Sequence, residues 1–124
     1  MRRKTNGYID KPWGYESLCA HTDQYVGKVL YIKPGRRLSR QYHEIKEETI
    51  YVMEGTLVLE IGSGKDMETL RLNRNSTYHI EPGVIHRFCA EESGPPVRLM
   101  EVSTPQIDDV VRLEDDYNRV DTSE

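Results

Sequence analysis

Two histidines, a glutamate and a glutamine stand at a spacing suited to holding a divalent metal. Gln41 and His43 are two apart, Glu48 follows within the same stretch, and His86 comes some forty residues later, beyond Pro82-Gly83. Residues two apart on a strand share a face, so Gln41 and His43 point the same way. A turn over 44–47 then starts a new strand at Glu48, which returns its carboxylate over that face, while His86 enters from a distant strand. Imidazoles and a carboxylate bind Fe(II), Mn(II), Zn(II), Ni(II) or Co(II), and a neutral Gln oxygen adds a weaker fourth position. Coordination sites stay open for water or substrate. A single His is more often a surface or satisfied core residue; the joint spacing is what favours a metal.

These residues need strands to position them. Gly and Pro punctuate the chain at short intervals, including Pro34-Gly35, Gly55, Gly62, Gly64 and Pro82-Gly83. Between them lie 28–33 (KVLYIK), 49–53 (TIYVM), 56–61 (TLVLEI), 77–80 (TYHI) and 97–102 (VRLMEV), rich in β-branched and aromatic residues. Many short strands at near-regular spacing predict an all-β sandwich or barrel. Glu54-Gly55 and the loop 62–66 read as hairpin turns, making 49–72 a meander. The stretch 107–120 is ambiguous. Val110, Leu113, Tyr117 and Val120 fit a helical face, whereas Val111 and Leu113 alternate, so the reading is an arm with a short turn or helix. One domain over 1–124, with arms at 1–9 and 107–124 and a frayed tail at 121–124, fits the length.

Of the 124 residues, 17 are basic and 21 acidic, giving a net charge of −4. The two signs are mixed along the chain, so there is no basic stripe of the kind nucleic acid requires. No apolar run is long enough to cross a bilayer. Met1-Arg2-Arg3-Lys4 is followed by polar residues instead of the apolar middle of a secretory signal, so the chain is expected to be cytoplasmic. Cys19 and Cys89 lack metal or redox spacing and read as free thiols in the core or near the surface.

The run Gly35, Gln41-x-His43, Glu48, Gly55 resembles the first motif of the cupin superfamily, with Gln41 where its first His usually stands. Pro82-Gly83-x-x-His86 is similar to the second, with Asn75, Glu81 and Ala90 departing from its usual Gly, Pro and Asn. From about residue 10 to 119 the chain further resembles the C-terminal, isomerase part of type II mannose-6-phosphate isomerases. Lys11-Pro12-Trp13-Gly14, 31–35, Leu38-Ser39-x-Gln41-x-His43, Gly83-Val84-x-His86-Arg87 and the tail 108–119 carry that likeness. It implies a small β-barrel, the double-stranded β-helix, with a metal held inside by Gln41, His43, Glu48 and His86. Members of the family join this domain to a nucleotidyltransferase. With no Gly-rich phosphate loop and little length to spare, this chain is expected to be the isomerase part alone. Glu44, Ile45 and Thr49 stand where the family tends to carry further histidines.

For an aldose-ketose isomerase, the metal would bind the C1 and C2 oxygens of the open sugar phosphate and a base would move one proton. Glu101, which matches a family Glu, is the favoured base, and His79 is a second candidate. Lys28 matches a family Lys, shares strand parity with Leu30 and Ile32, and is expected to point inward toward the phosphate. Arg40 and Arg87 alternate away from the ligands and read as surface charges. Lys33, Arg36 and Arg37 read as a solvated turn, and Trp13 with the tyrosines as core or cross-strand packing. Around Lys11–Leu18 an exposed strand is expected to pair with a second copy as a homodimer. Two competing readings are a non-enzymatic sugar-binding or regulatory cupin, and another metal-cupin enzyme such as a non-haem iron oxygenase.

Overall fold

The structure, a computed structural model, describes residues 8–118. The N-terminal arm through residue 7 and the tail from 119 lie outside the described residues. Eleven strands follow one another: β1 (Tyr8–Lys11), β2 (Gly14–His21), β3 (Val26–Ile32), β4 (Arg40–Tyr42), β5 (Glu48–Glu54), β6 (Leu57–Ile61), β7 (Glu68–Leu72), β8 (Thr77–Ile80), β9 (His86–Ala90), β10 (Val97–Ser103) and β11 (Val111–Glu114). A single 3-10 turn at Gly64–Asp66 is the one helical element among the described residues. All pairings are antiparallel, in a six-stranded sheet ordered β1-β2-β3-β10-β5-β8 and a five-stranded sheet ordered β11-β4-β9-β6-β7. The all-β expectation holds.

The inward faces follow from alternation along each strand. On β3 the inward set is Val26, Lys28, Leu30, Ile32; on β5 it is Glu48, Ile50, Val52; on β10 it is Val97, Leu99, Glu101, Ser103; on β9 it is His86, Phe88, Ala90. The polar members sit together. Lys28 pairs across from Glu101, and Ser103 from Glu48, so Lys28, Glu48 and Glu101 occupy one end of the sandwich. Trp13, Leu30, Ile32, Ile50, Val52, Leu57, Leu59, Phe88, Val97 and Leu99 form one apolar cluster that fills the rest. Burial of these side chains drives the two sheets together at roughly 1.5–3 kcal/mol each. Between the two inward faces, charge is thereby confined to one end.

Several expectations are corrected. The stretch 49–72 is not a meander, because β5 and β6 belong to different sheets. The Glu54-Gly55 turn carries the chain between them: Gly55 has φ +79°, and a Cβ there would lie 2.5 Å from the Pro96 carbonyl oxygen, so only glycine fits. The loop 62–66 does close the expected hairpin, β6 with β7. Residues 107–118 form β11 and turns, with no helix, since pairing to β4 satisfies the backbone in extended form. Most of Lys11–Leu18 is not an edge: β2 lies between β1 and β3 and Trp13 is buried, while the edges of this sheet are β1, which ends at Lys11, and β8.

Arg40 and Arg87 do alternate away from the ligands, but they are buried, not surface charges. Arg87 Nε donates to the Leu38 carbonyl at 2.8 Å, and its guanidinium reaches Asp116 at 3.1 Å and Glu114 at 3.5 Å. Arg40 meets Glu60 at 2.6 Å and Glu114 at 3.2 Å. The C-terminal segment brings Glu114 and Asp116 over this outer face, and Arg37 grips the exposed Asp116 at 2.7 Å. A buried guanidinium needs such partners. The arm therefore belongs to the domain.

Leu99→Ala, on a central strand and fully buried, is expected to lower stability by about 2–5 kcal/mol in urea unfolding, through lost transfer energy and the cavity left behind. A second expectation concerns acid. The Arg37 hydrogen bond, reinforced by the Arg37 and Arg87 charges, holds the Asp116 carboxyl below its usual range against slight burial. A depressed folded pKa contributes stability above the unfolded value, about 3.9, that is lost as pH falls through the folded value. The stability difference between wild type and Asp116→Asn should be constant near neutral pH and shrink below about pH 4, as read by urea midpoints.

Candidate metal centre

Each ligand candidate reaches the polar end of the sandwich for a local reason. β4 delivers Gln41 directly opposite His86 on β9, so both side chains enter from the five-stranded sheet, and His43 follows two residues after Gln41. The turn 44–47 crosses to the other sheet, where Glu48 opens β5. Glu48, His43 and His86 are all buried, and one ligand atom from each lies within 4.8 Å of the others. His43 Nε2 is 2.8 Å and His86 Nε2 3.6 Å from Glu48 Oε2.

The hydrogen bonds on the far side of each ring fix its tautomer. His43 Nδ1 lies 2.5 Å from the Asp109 carbonyl oxygen and His86 Nδ1 2.9 Å from that of Val84. A carbonyl only accepts, so each Nδ1 carries the proton and each Nε2 presents a lone pair inward. Burial also pushes the His86 pKa down, keeping the ring neutral. Burial by itself would raise the Glu48 carboxyl, while the buried Lys46 ammonium pulls it down and favours the ionised form. Both imidazole Nε2 atoms and both Glu48 oxygens are buried without a hydrogen-bond partner. Lone pairs turned on one another at these distances repel unless a positive charge lies between them. This donor set, two neutral imidazoles and one carboxylate, fits a divalent cation.

A second layer of charge surrounds this cluster. Lys46 Nζ donates to Glu101 Oε2 at 3.1 Å, and Lys28 Nζ lies 3.4 Å from Glu16 Oε2, all four residues being buried. Burial and the Glu48 charge raise the Glu101 carboxyl above its usual range, against the pull of Lys46 and Lys28. Burial would lower Lys46, but the Glu101 and Glu48 charges outweigh it, so the ammonium is kept. Gln41, His43, Lys46, Glu101, Lys28 and Glu16 line one small cavity of about 20 Å³, with Trp13 and the C-terminal Ile107 and Val110 closing it. That holds about one water.

The geometry thus gathers His43, Glu48 and His86 at one point, with Gln41, Lys28 and Glu101 beside it. Gln41 is engaged, its Oε1 accepting from Ser39 Oγ at 2.6 Å. His79 is not brought there, which corrects the expectation of a second base. Its register partner Thr49 alternates away from Glu48, so the imidazole lies on the outer face, half-exposed, 2.9 Å from both Glu47 and Thr49, in a groove of about 310 Å³. Sequence reasoning missed Lys46, Glu16 and Asp109. Even spacing of Lys46 from Glu48 was the available signal for the first; the other two depend on long-range contacts. Cys19 and Cys89 are free, as expected.

The chain matches the family described as mannose-6-phosphate isomerase C-terminal over residues 2–115. It is 38% identical over 117 residues to the mannose-1-phosphate guanylyltransferase ManC of Salmonella typhimurium, covering 90% of this chain but 23% of that protein. The chain thus spans about a quarter of the length of such relatives. In fold it is similar to KdgF from Halomonas sp., with TM-score 0.71 at 20% identity, covering 82% of this chain and 87% of the other. It is similar also to a cupin-superfamily sugar phosphate isomerase from Silicibacter pomeroyi, with TM-score 0.67 at 19% identity, covering 80% and 64%. Motifs, double-stranded β-helix and near-complete match agree: this chain is a cupin domain of the mannose-6-phosphate isomerase C-terminal family.

Proposed function

We propose that the domain is a metal-dependent aldose-ketose isomerase acting on a sugar phosphate, of the mannose-6-phosphate isomerase type. The observation that carries this reading is the convergence of unpartnered His43, Glu48 and His86 lone pairs beside a buried Glu101. A mannose phosphate is common to the family description and to the relative's name. When bound, a divalent cation supplies Lewis-acid polarisation of a carbonyl and its neighbouring hydroxyl. His43, Glu48 and His86 would hold it, with Gln41 as a weaker fourth ligand. Glu101, its raised pKa bringing it toward working pH, would take the proton from C2 and return it to C1 while the C2 hydroxyl proton passes to the C1 oxygen. Lys46, 3.1 Å away, orients the carboxylate, and Lys28, shared with Glu16, binds hydroxyl or phosphate oxygens. Walls of buried side chains exclude water from the proton transfer. A homodimer paired through the outer edge of β1 belongs to this reading.

A second reading is a non-catalytic sugar-binding or regulatory module serving a guanylyltransferase. Gln41 in a His position, already engaged by Ser39, favours it. Two histidines and a carboxylate also describe an oxygen-activating iron site, and oxygen uptake in place of isomerisation would mark that chemistry.

Two expectations follow from the isomerase reading. Purified wild type, after reconstitution with Mn, Fe, Co, Ni or Zn, should carry near-stoichiometric metal by plasma mass spectrometry, and His43→Ala and His86→Ala should lose it. A metal-free wild type would sink both enzyme readings and leave the binding module. Glu101→Gln should keep the metal and lower kcat for mannose 6-phosphate about 10²–10⁴-fold; an unchanged kcat would remove Glu101 as the base.

A further inference from the structure

The C-terminal segment is in contact with the metal cluster at one residue. Asp109, in the turn between β10 and β11, makes four contacts with the β4–β5 connection. Its main-chain oxygen accepts a hydrogen bond from His43 Nδ1 at 2.5 Å. Its carboxylate accepts three successive backbone N–H groups: Glu44 at 3.0 Å on Oδ1, Ile45 at 2.7 Å and Lys46 at 2.8 Å on Oδ2. Those N–H groups lie in a tight turn and have no strand to pair with. The turn carries His43 at its start, Lys46 within it and Glu48 just past its end. One side chain therefore fixes the path linking a ligand from the five-stranded sheet to a ligand from the six-stranded sheet, and the same residue's carbonyl fixes the first ligand's ring.

We propose that Asp109 is a positioning residue for the metal centre, holding His43 in its Nδ1–H tautomer and aiming Nε2 at Glu48. His86 provides the contrast within the same molecule, since its Nδ1 partner is Val84, two residues away on its own chain segment. The orientation of His86 is local, whereas that of His43 depends on a partner 66 residues distant. Removing the Asp109 carboxylate frees the 44–46 turn and lets the carbonyl drift from the ring. The expected consequence is a His43 that samples both tautomers and binds metal less tightly. The metal arm of this inference rests on the proposed metal reading; the tautomer arm does not.

The test is made on the full chain with ¹⁵N-labelled histidine. In metal-free wild type, long-range ¹⁵N–¹H spectra should show His43 and His86 each with a proton fixed on Nδ1. In Asp109→Ala, His43 should move to a mixture while His86 stays unchanged. Asp109→Asn, which keeps one accepting oxygen, should fall between, and it stands in if the alanine variant does not fold. Metal affinity measured by competition with a chromophoric chelator should drop about 10–100-fold in Asp109→Ala, the range seen when a ligand's outer partner is lost. In Asp116→Asn, which loosens the same arm at its surface end, it should change less than twofold. A His43 signal identical in wild type and both Asp109 variants would overturn the proposal, as would an equal affinity loss in Asp116→Asn. Wild type that shows the tautomer effect but takes up no metal would overturn the metal reading and leave the positioning of His43 standing.

Discussion

The ionised Glu48 carboxylate, enclosed between two sheets with two imidazole lone pairs turned toward it, is the constraint to which the rest of this end of the fold responds. A buried carboxylate without partners costs several kcal/mol even after relaxation. Here Lys46 supplies the nearest fixed positive charge, and the cluster's geometry invites a second from a cation. Because His43 and His86 come from the five-stranded sheet and Glu48 from the six-stranded one, anything that binds all three ties the sheets together. A cation held there would link binding to folding.

The neighbouring charges are arranged to keep the interior near neutrality. Lys28 is set against Glu16 and Lys46 against Glu101, each pair buried. Such pairs are weak sources of stability, since desolvation offsets most of their attraction. In the proposed isomerase they would hold proton-exchanging groups within reach of a ligand, in a low-dielectric pocket where charge effects are strong. The apolar cluster from Trp13 to Leu99 supplies the stability instead. The polar cluster and the apolar core therefore share strands, as neighbouring inward positions at Glu48 and Ile50, or at His86 and Phe88.

The outer face of the five-stranded sheet repeats the theme with opposite sign. Arg40 and Arg87 are buried there and compensated by Glu60, Glu114 and Asp116. Two of those three carboxylates come from the C-terminal segment, so the arm is drawn onto the sheet by charge as well as by the β4–β11 pairing. In the same pass it carries Asp109 to the β4–β5 turn. A segment that looks peripheral by position thus acts on the ring of a central histidine.

The strands, most of the turns and the shared face of Gln41 and His43 follow from the sequence, because alternation and turn chemistry are local. Gln41 with His43, the new start at Glu48, the hairpin at 62–66 and the inward Lys28 were legible that way, while the family likeness pointed to Glu101 and to four ligand candidates, of which His43, Glu48 and His86 converge. Local information also put Arg40 and Arg87 correctly on the opposite face. What lies against each face is set by contacts between distant segments. The arm covers Arg87, and the outer position of β8 sends His79 to solvent. Similarly, the crossing at Gly55 separates β5 from β6, and Lys46 and Asp109 join the site through contacts with residues more than fifty positions away. Alternation says which side of a strand a residue occupies; which side is wet depends on where distant strands pack, and no local pattern encodes that.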